Sequence, residues 1–237
     1  MLLSKLFKKK DNTPHCAVVI VAAGSSLRMG GDKLMMELCH VPVLARTLLA
    51  FQQSPLVDEI IVVTRMEKIM DVADICKKYG VTKAKKVIRG GTSRMESALA
   101  GVSELSCGTK LIAIHDGARP LVTQDVISRA VYAARDYLAA VPAIPSVDTL
   151  KNVEDERVIA TLDRECIMRV QTPQVFAADL LKAALQSADN GRLLRNRADG
   201  REGQGRRGRP EQHQAHHAER RDARRSDPER QRRRICG

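Results

Sequence analysis

The chain has 237 residues and a formal net charge of +12, from 40 Lys plus Arg against 28 Asp plus Glu. No apolar run approaches the roughly 18 residues that a membrane-spanning helix needs, so we expect no membrane partner. Within the first ten residues the lysines mostly follow a short apolar patch, which is the wrong order for a signal peptide. We therefore expect a cytoplasmic protein.

The charge is distributed unevenly along the chain. Residues 192–237 contain 15 Arg, no Lys and 7 acidic residues, whereas residues 1–191 contain 25 basic and 21 acidic residues. The C-terminal stretch also has too few apolar residues to offset the entropy cost of ordering it. The composition predicts a lysine-rich lead at 1–14, an ordered domain at 15–190 and a disordered Arg-rich tail at 191–237.

The ordered part consists of alternating predicted strands and helices. Strands are predicted at 17–22, 59–64, 86–88, 110–114, 139–144 and 172–176, and helices at 43–53, 67–79, 92–105, 124–135 and 178–187. Thr92 and Thr123 are expected to cap the helices that follow them. This order predicts a Rossmann-like α/β fold, with a mostly parallel twisted sheet and helices on both faces. Residues 146–170 carry many charges and alternate weakly, which favours a protruding β-arm.

Three loops of this fold are candidates for a ligand site, because ligands of such sheets bind at the carboxyl ends of the strands. They lie at 22–33, 89–97 and 115–120. The first loop places small residues directly after a strand, where backbone N–H groups suit phosphate oxygens. Arg28 and Lys33 add cationic donors for a polyphosphate. A plain strand-to-helix turn with two solvated cations is the alternative.

The other two loops carry different chemistry. The second opens a helix with two glycines, and Ser97 is placed to reach a ribose, a base or a phosphate; a tight turn with a helix cap is the alternative. In the third loop, Asp116 suits a metal ion or a hydroxyl group and Arg119 suits a phosphate, with a turn or capping acid as the alternative for Asp116. His115 is as consistent with a packed histidine as with a catalytic one.

Five motifs occur in order between about Cys16 and Ala188: AAGSSLRM with Lys33 beyond it, GGTSRMESALAGV, HDGARPLV, PSVDTLK and LDRECIMRVQTPQVF. Together they resemble the 2-C-methyl-D-erythritol 4-phosphate cytidylyltransferase family. The resemblance implies a nucleotidyltransferase that transfers CMP from CTP to the methylerythritol phosphate, releasing pyrophosphate, in the non-mevalonate isoprenoid pathway. It also implies magnesium as a cofactor and a homodimer linked by the arm.

The resemblance implies roles for individual positions and leaves the metal ligands open. The residues with implied catalytic roles are Arg28, Lys33 and Arg164. The residues implied to contact CTP are Ala22, Ala23, Gly24, Gly91, Ser97, Asp116 and Gly117. Those implied to contact the methylerythritol phosphate are Asp116, Arg119, Thr149, Arg164 and Thr172. Within this last set, Thr149 and Arg164 would be supplied by the partner's arm.

Several alternatives stay open. One is a related cytidylyltransferase for another polyol phosphate, such as ribitol 5-phosphate, although HDGARP and the arm residues favour methylerythritol phosphate. Another is an inactive truncated homologue. A nucleic-acid-binding protein that uses the basic tail is not expected, because the tail has no aromatic side chain for base stacking.

The C-terminus departs from the family pattern. The family continues with a Thr-Asp-Asp or Thr-Asp-Glu segment and an Asn-Ile-Lys-Leu-Thr-Thr-Pro strand whose lysine helps to stabilise the transition state, and neither follows Asn190. Synonymous codons for Glu211–Arg221, read one base later, can encode Ser-Asn-Ile-Lys-Leu-Thr-Thr-Pro-Ser-Asp. Our hypothesis is that residues from about Arg192 onward are an out-of-frame product rather than a nucleic-acid arm.

Overall fold

The computed structural model describes residues 15–24 and 32–188. The lysine-rich lead, Arg28 and the Arg-rich tail lie outside the described residues. The described chain up to Gln186 belongs to one compact unit. Within these ranges no helix combines the length and the apolar character needed to cross a membrane.

The described elements alternate between strands and helices. The strands are β1 Cys16–Ala22, β2 Glu37–Leu38, β3 Val41–Pro42, β4 Val57–Thr64, β5 Ala84–Arg89, β6 Leu111–Asp116, β7 Ala139–Ala140, β8 Ala143–Pro145, β9 Lys151–Glu154, β10 Arg157–Thr161, β11 Met168–Val170 and β12 Gln174–Ala177. The helices are α1 Val43–Gln52, α2 Ile69–Lys78, α3 Arg94–Ser103, α4 Gln124–Tyr137 and α5 at 178–188. Short 3-10 turns occur at Met66–Lys68 and Arg164–Cys166.

The main sheet has the strand order β5-β4-β1-β6-β12-β7. Strands β5, β4, β1 and β6 run parallel to one another, and β12 runs antiparallel to both β6 and β7. β4, β1 and β6 lie in the interior of the sheet, and they are nearly continuous runs of buried residues, which is typical of strands covered on both faces. The predicted mostly parallel sheet is confirmed.

Helices cover both faces of the sheet, as the alternation of side chains along β1 shows. Val18 and Ile20 point to the face packed by α1, α2 and α4, whereas Val19 points to the face packed by α3 and α5. Because the same alternation continues into β6, neighbouring residues at the end of that strand also point to opposite faces. This geometry sends His115 and Asp116 in different directions.

Two local predictions are wrong. The predicted strand at 139–144 is two short strands: β7 pairs with β12 in the main sheet, whereas β8 pairs with β11. The intervening Pro142 lacks an N–H for a central ladder, which explains the break.

The N-cap of α3 is Ser93 rather than Thr92, because Ser93 and Glu96 form a capping box. Thr123 caps α4 as predicted, through a hydrogen bond that its side chain accepts from the Val126 N–H.

The predicted arm is formed by two antiparallel pairs, β8 with β11 and β9 with β10. Every residue of β9, β10 and β11 is exposed. The exposed residues include apolar ones, such as Val158 at 61% and Ile159 at 56%. The arm therefore presents apolar surface that the described part of the chain does not cover.

Candidate functional site

The three predicted loops meet at one edge of the sheet. In the strand register, Ala22 of β1 lies opposite Thr64 of β4, and Val21 lies opposite Asp116 of β6. Thr64 in turn lies opposite Arg89 of β5. These positions are all at the carboxyl ends of parallel strands, where α/β sheets bind ligands.

Glycines let the loops approach one another closely. A Cβ atom added to Gly90 would lie 2.7 Å from both the Ala23 Cβ and the Ser97 Oγ, so any side chain there would force the first two loops apart. A Cβ added to Gly117 would lie 3.2 Å from the Ala22 Cβ. The first residues of the first loop, Ala22 and Ala23, therefore pack against the third and the second loop respectively.

The second loop is held at the start of α3 by a complete helix cap. The Glu96 N–H donates to the Ser93 Oγ (3.1 Å), and the Glu96 carboxylate accepts from the backbone N–H groups of Thr92 (2.6 Å) and Ser93 (3.2 Å). A Cβ on Gly91 would overlap the Glu96 side chain. Ser97 is buried and donates its hydroxyl to the Ser93 carbonyl at 2.9 Å. Its predicted contact with CTP stays a prediction.

Asp116 is bridged to two arginines. Its Oδ1 accepts from the Nε (3.1 Å) and Nη2 (3.0 Å) of Arg94, and its Oδ2 accepts from the Nε of Arg119 (3.1 Å). Arg119 also donates through Nη1 to the Gln171 side-chain oxygen. The site therefore joins the end of β6, the start of α3 and the residue before Thr172.

His115 is a buried structural partner of this site. Its ring is packed edge-on against Phe51, with the ring centres 4.8 Å apart. Its Nε2 lies 3.1 Å from the Arg119 carbonyl, which only accepts, so Nε2 carries the proton. Its Nδ1 therefore accepts from the Thr172 hydroxyl at 3.0 Å. Of the two roles left open for His115, the packed one is what the structure supports.

Burial lowers the pKa of His115 from its ordinary 6.5 to about 4. Between pH 6.5 and 4, His115 therefore binds a proton in the unfolded chain but stays neutral in the folded chain. Stability is therefore present in full above pH 6.5 and falls as the pH is lowered towards 4, by roughly 3 kcal/mol from this residue. We expect His115→Gln to flatten the pH dependence of the urea-unfolding free energy in that window.

The control for this prediction is Ser128→Ala, an uncharged change at a partly exposed residue of α4. This variant should keep the slope of the wild-type chain. An unchanged slope in His115→Gln would contradict the prediction that His115 is held neutral by burial.

Lys33 lies in a turn that is fixed to the same edge of the sheet. The preceding Asp32 accepts from the Leu34 N–H at 3.2 Å and from the Arg65 Nη2 at 3.0 Å. Arg65 directly follows Thr64, the last residue of β4. The structure thus brings Lys33 to the carboxyl end of the strands.

Two predicted residues are not brought to these loops within one chain. Thr149 and Arg164 are both exposed on the arm. Among the described residues, neither side chain has a hydrogen bond or ion pair with the three loops. Their predicted role in the site of a second copy stays a prediction.

The described carboxylates at the loops form no metal cage of their own. Asp32 pairs with Arg65, Glu96 caps α3, and Asp116 is bonded to two arginines. Over the described ranges no group of three or more potential His, Cys, Asp or Glu ligands occurs.

A cavity of about 800 Å³ adjoins Arg119 and Thr172. Its walls are mostly apolar and come from α4, from the loop after Arg119 and from the root of the arm. The lining includes Leu121, Val126, Ala130 and Ile144. A polar site for an anion therefore borders an apolar surface.

Sequence reasoning missed Arg94 and Gln171 as partners of the predicted site. Arg94 stands inside the glycine-rich motif, but the sequence does not show that it reaches Asp116, 22 residues further on. A signal for this contact was present in the sequence. Arg94 is the first residue of α3, and the strand that follows α3 in the chain, β6, ends at Asp116. Gln171 precedes Thr172 and gave no distinct signal.

The comparisons with known proteins agree on one family. A model of the 2-C-methyl-D-erythritol 4-phosphate cytidylyltransferase family matches residues 16–202. The protein of that name from Halalkalibacterium halodurans is 42% identical over 180 residues, which cover 75% of this chain and 78% of the relative. The one from Dehalococcoides mccartyi strain CBDB1 is 44% identical over 170 residues, covering 71% and 74%.

Solved structures point the same way. The crystal structure of 4-diphosphocytidyl-2C-methyl-D-erythritol synthase from Anaerococcus prevotii is similar with a TM-score of 0.66 and 31% identity, over 74% of this chain and 75% of that chain. The family match contains all three loops and the arm, and it ends inside the stretch that we take to be out of frame. Because the match covers more than half of the chain, this protein belongs to the 2-C-methyl-D-erythritol 4-phosphate cytidylyltransferase family.

Proposed function

We propose that this protein transfers CMP from CTP to 2-C-methyl-D-erythritol 4-phosphate and releases pyrophosphate, in the non-mevalonate isoprenoid pathway. The observation that carries the proposal is the meeting of three loops at one sheet edge. The described parts of two of them bring small residues close together at this edge, and the third supplies the Asp116–Arg119 pair. This combination suits a nucleoside triphosphate next to a phosphorylated polyol.

The reaction is an in-line displacement at phosphorus. A phosphate oxygen of the polyol substrate attacks the α-phosphorus of CTP, and the bond from that phosphorus to the oxygen bridging to the β-phosphorus breaks. Pyrophosphate leaves with the electron pair of that bond, and no covalent enzyme intermediate forms. The protein therefore has to align two anions and neutralise their charge.

The residues divide this work between the two substrates. Lys33 and Arg28 hold the triphosphate and balance the charge that develops on the leaving group. Asp116 accepts a hydrogen bond from a hydroxyl group, and Arg119 donates to the phosphate of the polyol. Thr172 accepts a hydrogen bond, since its own proton is committed to His115.

Magnesium is part of the proposal as a cofactor held by the triphosphate. When bound, it would neutralise phosphate charge and make the α-phosphorus more electrophilic. It would be held by phosphate oxygens and water, because the described carboxylates at the loops are engaged by Arg65, by the cap of α3 and by Arg94 with Arg119.

A homodimer formed through the arm is also part of the proposal. The exposed apolar residues of β9 and β10 support it, since such surface is usually covered by a partner. In the dimer, Thr149 and Arg164 of each arm would enter the site of the other copy. We place this dimer in the cytoplasm and assign it no nucleic-acid partner.

Mixing two inactive variants tests the shared site. We expect Lys33→Ala and Arg164→Ala to be inactive alone. Mixed subunits should regain activity, because one of the two sites in a mixed dimer then has both residues. Random exchange would restore about a quarter of the wild-type rate. No recovery, with exchange verified by mass spectrometry, would place Arg164 in the site of its own chain.

The assay of the function is pyrophosphate release that depends on CTP and magnesium. Methylerythritol phosphate and ribitol 5-phosphate are compared as acceptors. The apolar wall beside Arg119 supports methylerythritol phosphate as the acceptor. The branched methyl group of that substrate can contact the wall, whereas ribitol 5-phosphate has no such group. A higher kcat/KM for ribitol 5-phosphate would favour the related cytidylyltransferase, and no release with either would indicate an inactive homologue.

A further inference from the structure

Arg94 and Arg119 each bond a different oxygen of the Asp116 carboxylate. Arg94 places two donors, Nε and Nη2, on Oδ1, whereas Arg119 places only its Nε on Oδ2. The carboxylate therefore stands between two guanidinium groups, each holding one oxygen. The ion pairs are about one-third to one-half exposed, so the arrangement is accessible to an anion from solvent.

Arg94 is the better anchored of the two arginines. It is the first residue of α3, directly after the Ser93 cap, and the Glu96 carboxylate fixes the preceding turn from three donors. Arg119 follows a turn after β6, three residues from Asp116, so it can reach both carboxylate oxygens by rotating its own side chain. Two arginines thus bond the same carboxylate, and the backbone of Arg94 is the one held by a helix cap.

Arg119 divides its donors between two acceptors. Because Arg94 occupies Oδ1, Arg119 bonds Asp116 through Nε alone and directs Nη1 to Gln171. Without Arg94, both oxygens would be open to Arg119, and a bidentate pair is the preferred geometry of an arginine with a carboxylate. The guanidinium would then turn inward and its donors would be lost to a substrate phosphate.

We propose that Arg94 is a positioning residue of the polyol-phosphate site, which acts by occupying Oδ1 of Asp116, so that Arg119 bonds Asp116 through Nε alone and keeps its terminal donors for the substrate phosphate. This inference rests on the proposed function and goes beyond it. Arg94 acts through Asp116 and Arg119, and it touches no reacting atom.

The test is a double-mutant cycle on substrate binding. Binding of methylerythritol phosphate is measured by calorimetry, so that the readout does not depend on turnover. Arg94→Ala should raise the Kd more than tenfold in a chain with Asp116. In an Asp116→Asn background, where no carboxylate is present to capture Arg119, the same change should raise the Kd less than threefold.

Two further variants separate positioning from a structural role. Guanidinium ion at non-denaturing concentration should restore part of the binding of Arg94→Ala, and Arg94→Lys should retain part of it, since one donor still reaches Oδ1. The matched control is Arg135→Ala, which breaks an exposed arginine–aspartate pair at the end of α4. It should bind as the wild-type chain does, and all variants should keep the wild-type unfolding midpoint.

Each outcome decides a different statement. An equal loss in both backgrounds, or no loss in either, overturns the positioning role of Arg94 while the proposed function stands. A wild-type chain that binds CTP but not methylerythritol phosphate overturns the proposed substrate, and the inference falls with it. A large loss only in the presence of Asp116, with partial rescue by guanidinium, supports the inference.

Discussion

Replacing Lys33 by alanine should lower the rate of CMP transfer more than tenfold and leave the fold intact. The reaction has no covalent intermediate, so the chain contributes mainly by neutralising and aligning phosphate groups. Removing one cation from a pre-organised site raises the barrier by at least about 1.4 kcal/mol for a tenfold loss. Lys33 is suited to this role because the Asp32–Arg65 pair fixes its turn against the end of β4.

The measurement is kcat for pyrophosphate release at saturating CTP, with unfolding by urea as the check on the fold. Lys86→Ala is the matched control, because Lys86 is an exposed lysine of β5, away from the three loops, whose amino group pairs with Glu104. Arg28→Ala should behave as Lys33→Ala does. Near-normal rates in both variants would remove these two residues from the catalytic machinery.

Restoring the other reading frame after about residue 192 should raise the rate of CMP transfer by more than tenfold. The family strand Asn-Ile-Lys-Leu-Thr-Thr-Pro contributes a lysine to the transition state, and the printed sequence has no Lys after residue 191. The frame-shifted translation of Glu211–Arg221 can supply that strand. It would also add apolar residues to a stretch that now has few of them, so the free energy of unfolding should rise as well.

Both chains should be purified and assayed side by side with CTP and methylerythritol phosphate. A chain that ends at residue 191 is the control, because it lacks both versions of the C-terminus. If the chain with the Arg-rich tail and the frame-restored chain are equally active, the lysine of the family strand is not needed for CMP transfer by this protein. Resequencing of the gene decides independently whether the Arg-rich tail is encoded.

The strands and the layers of this protein follow from local sequence. Buried apolar runs such as those of β1 and β4 form interior parallel strands, because both faces of these strands must be covered. The helices supply that cover, since their periodicity gives each of them an apolar face. The break between β7 and β8 escaped this reasoning. It depends on which neighbour each half pairs with, and that is a tertiary choice at Pro142.

The candidate site divides in the same way. The sequence alone placed the loops at the strand ends, because chain order and strand direction put them there, and its motifs named Asp116 and Arg119. Only the tertiary structure decided that Arg94 bonds Asp116 and that His115 turns inward to Phe51 and Thr172. Such contacts join residues far apart in the chain, and they depend on the face to which each side chain points, which packing of the helices on the sheet sets.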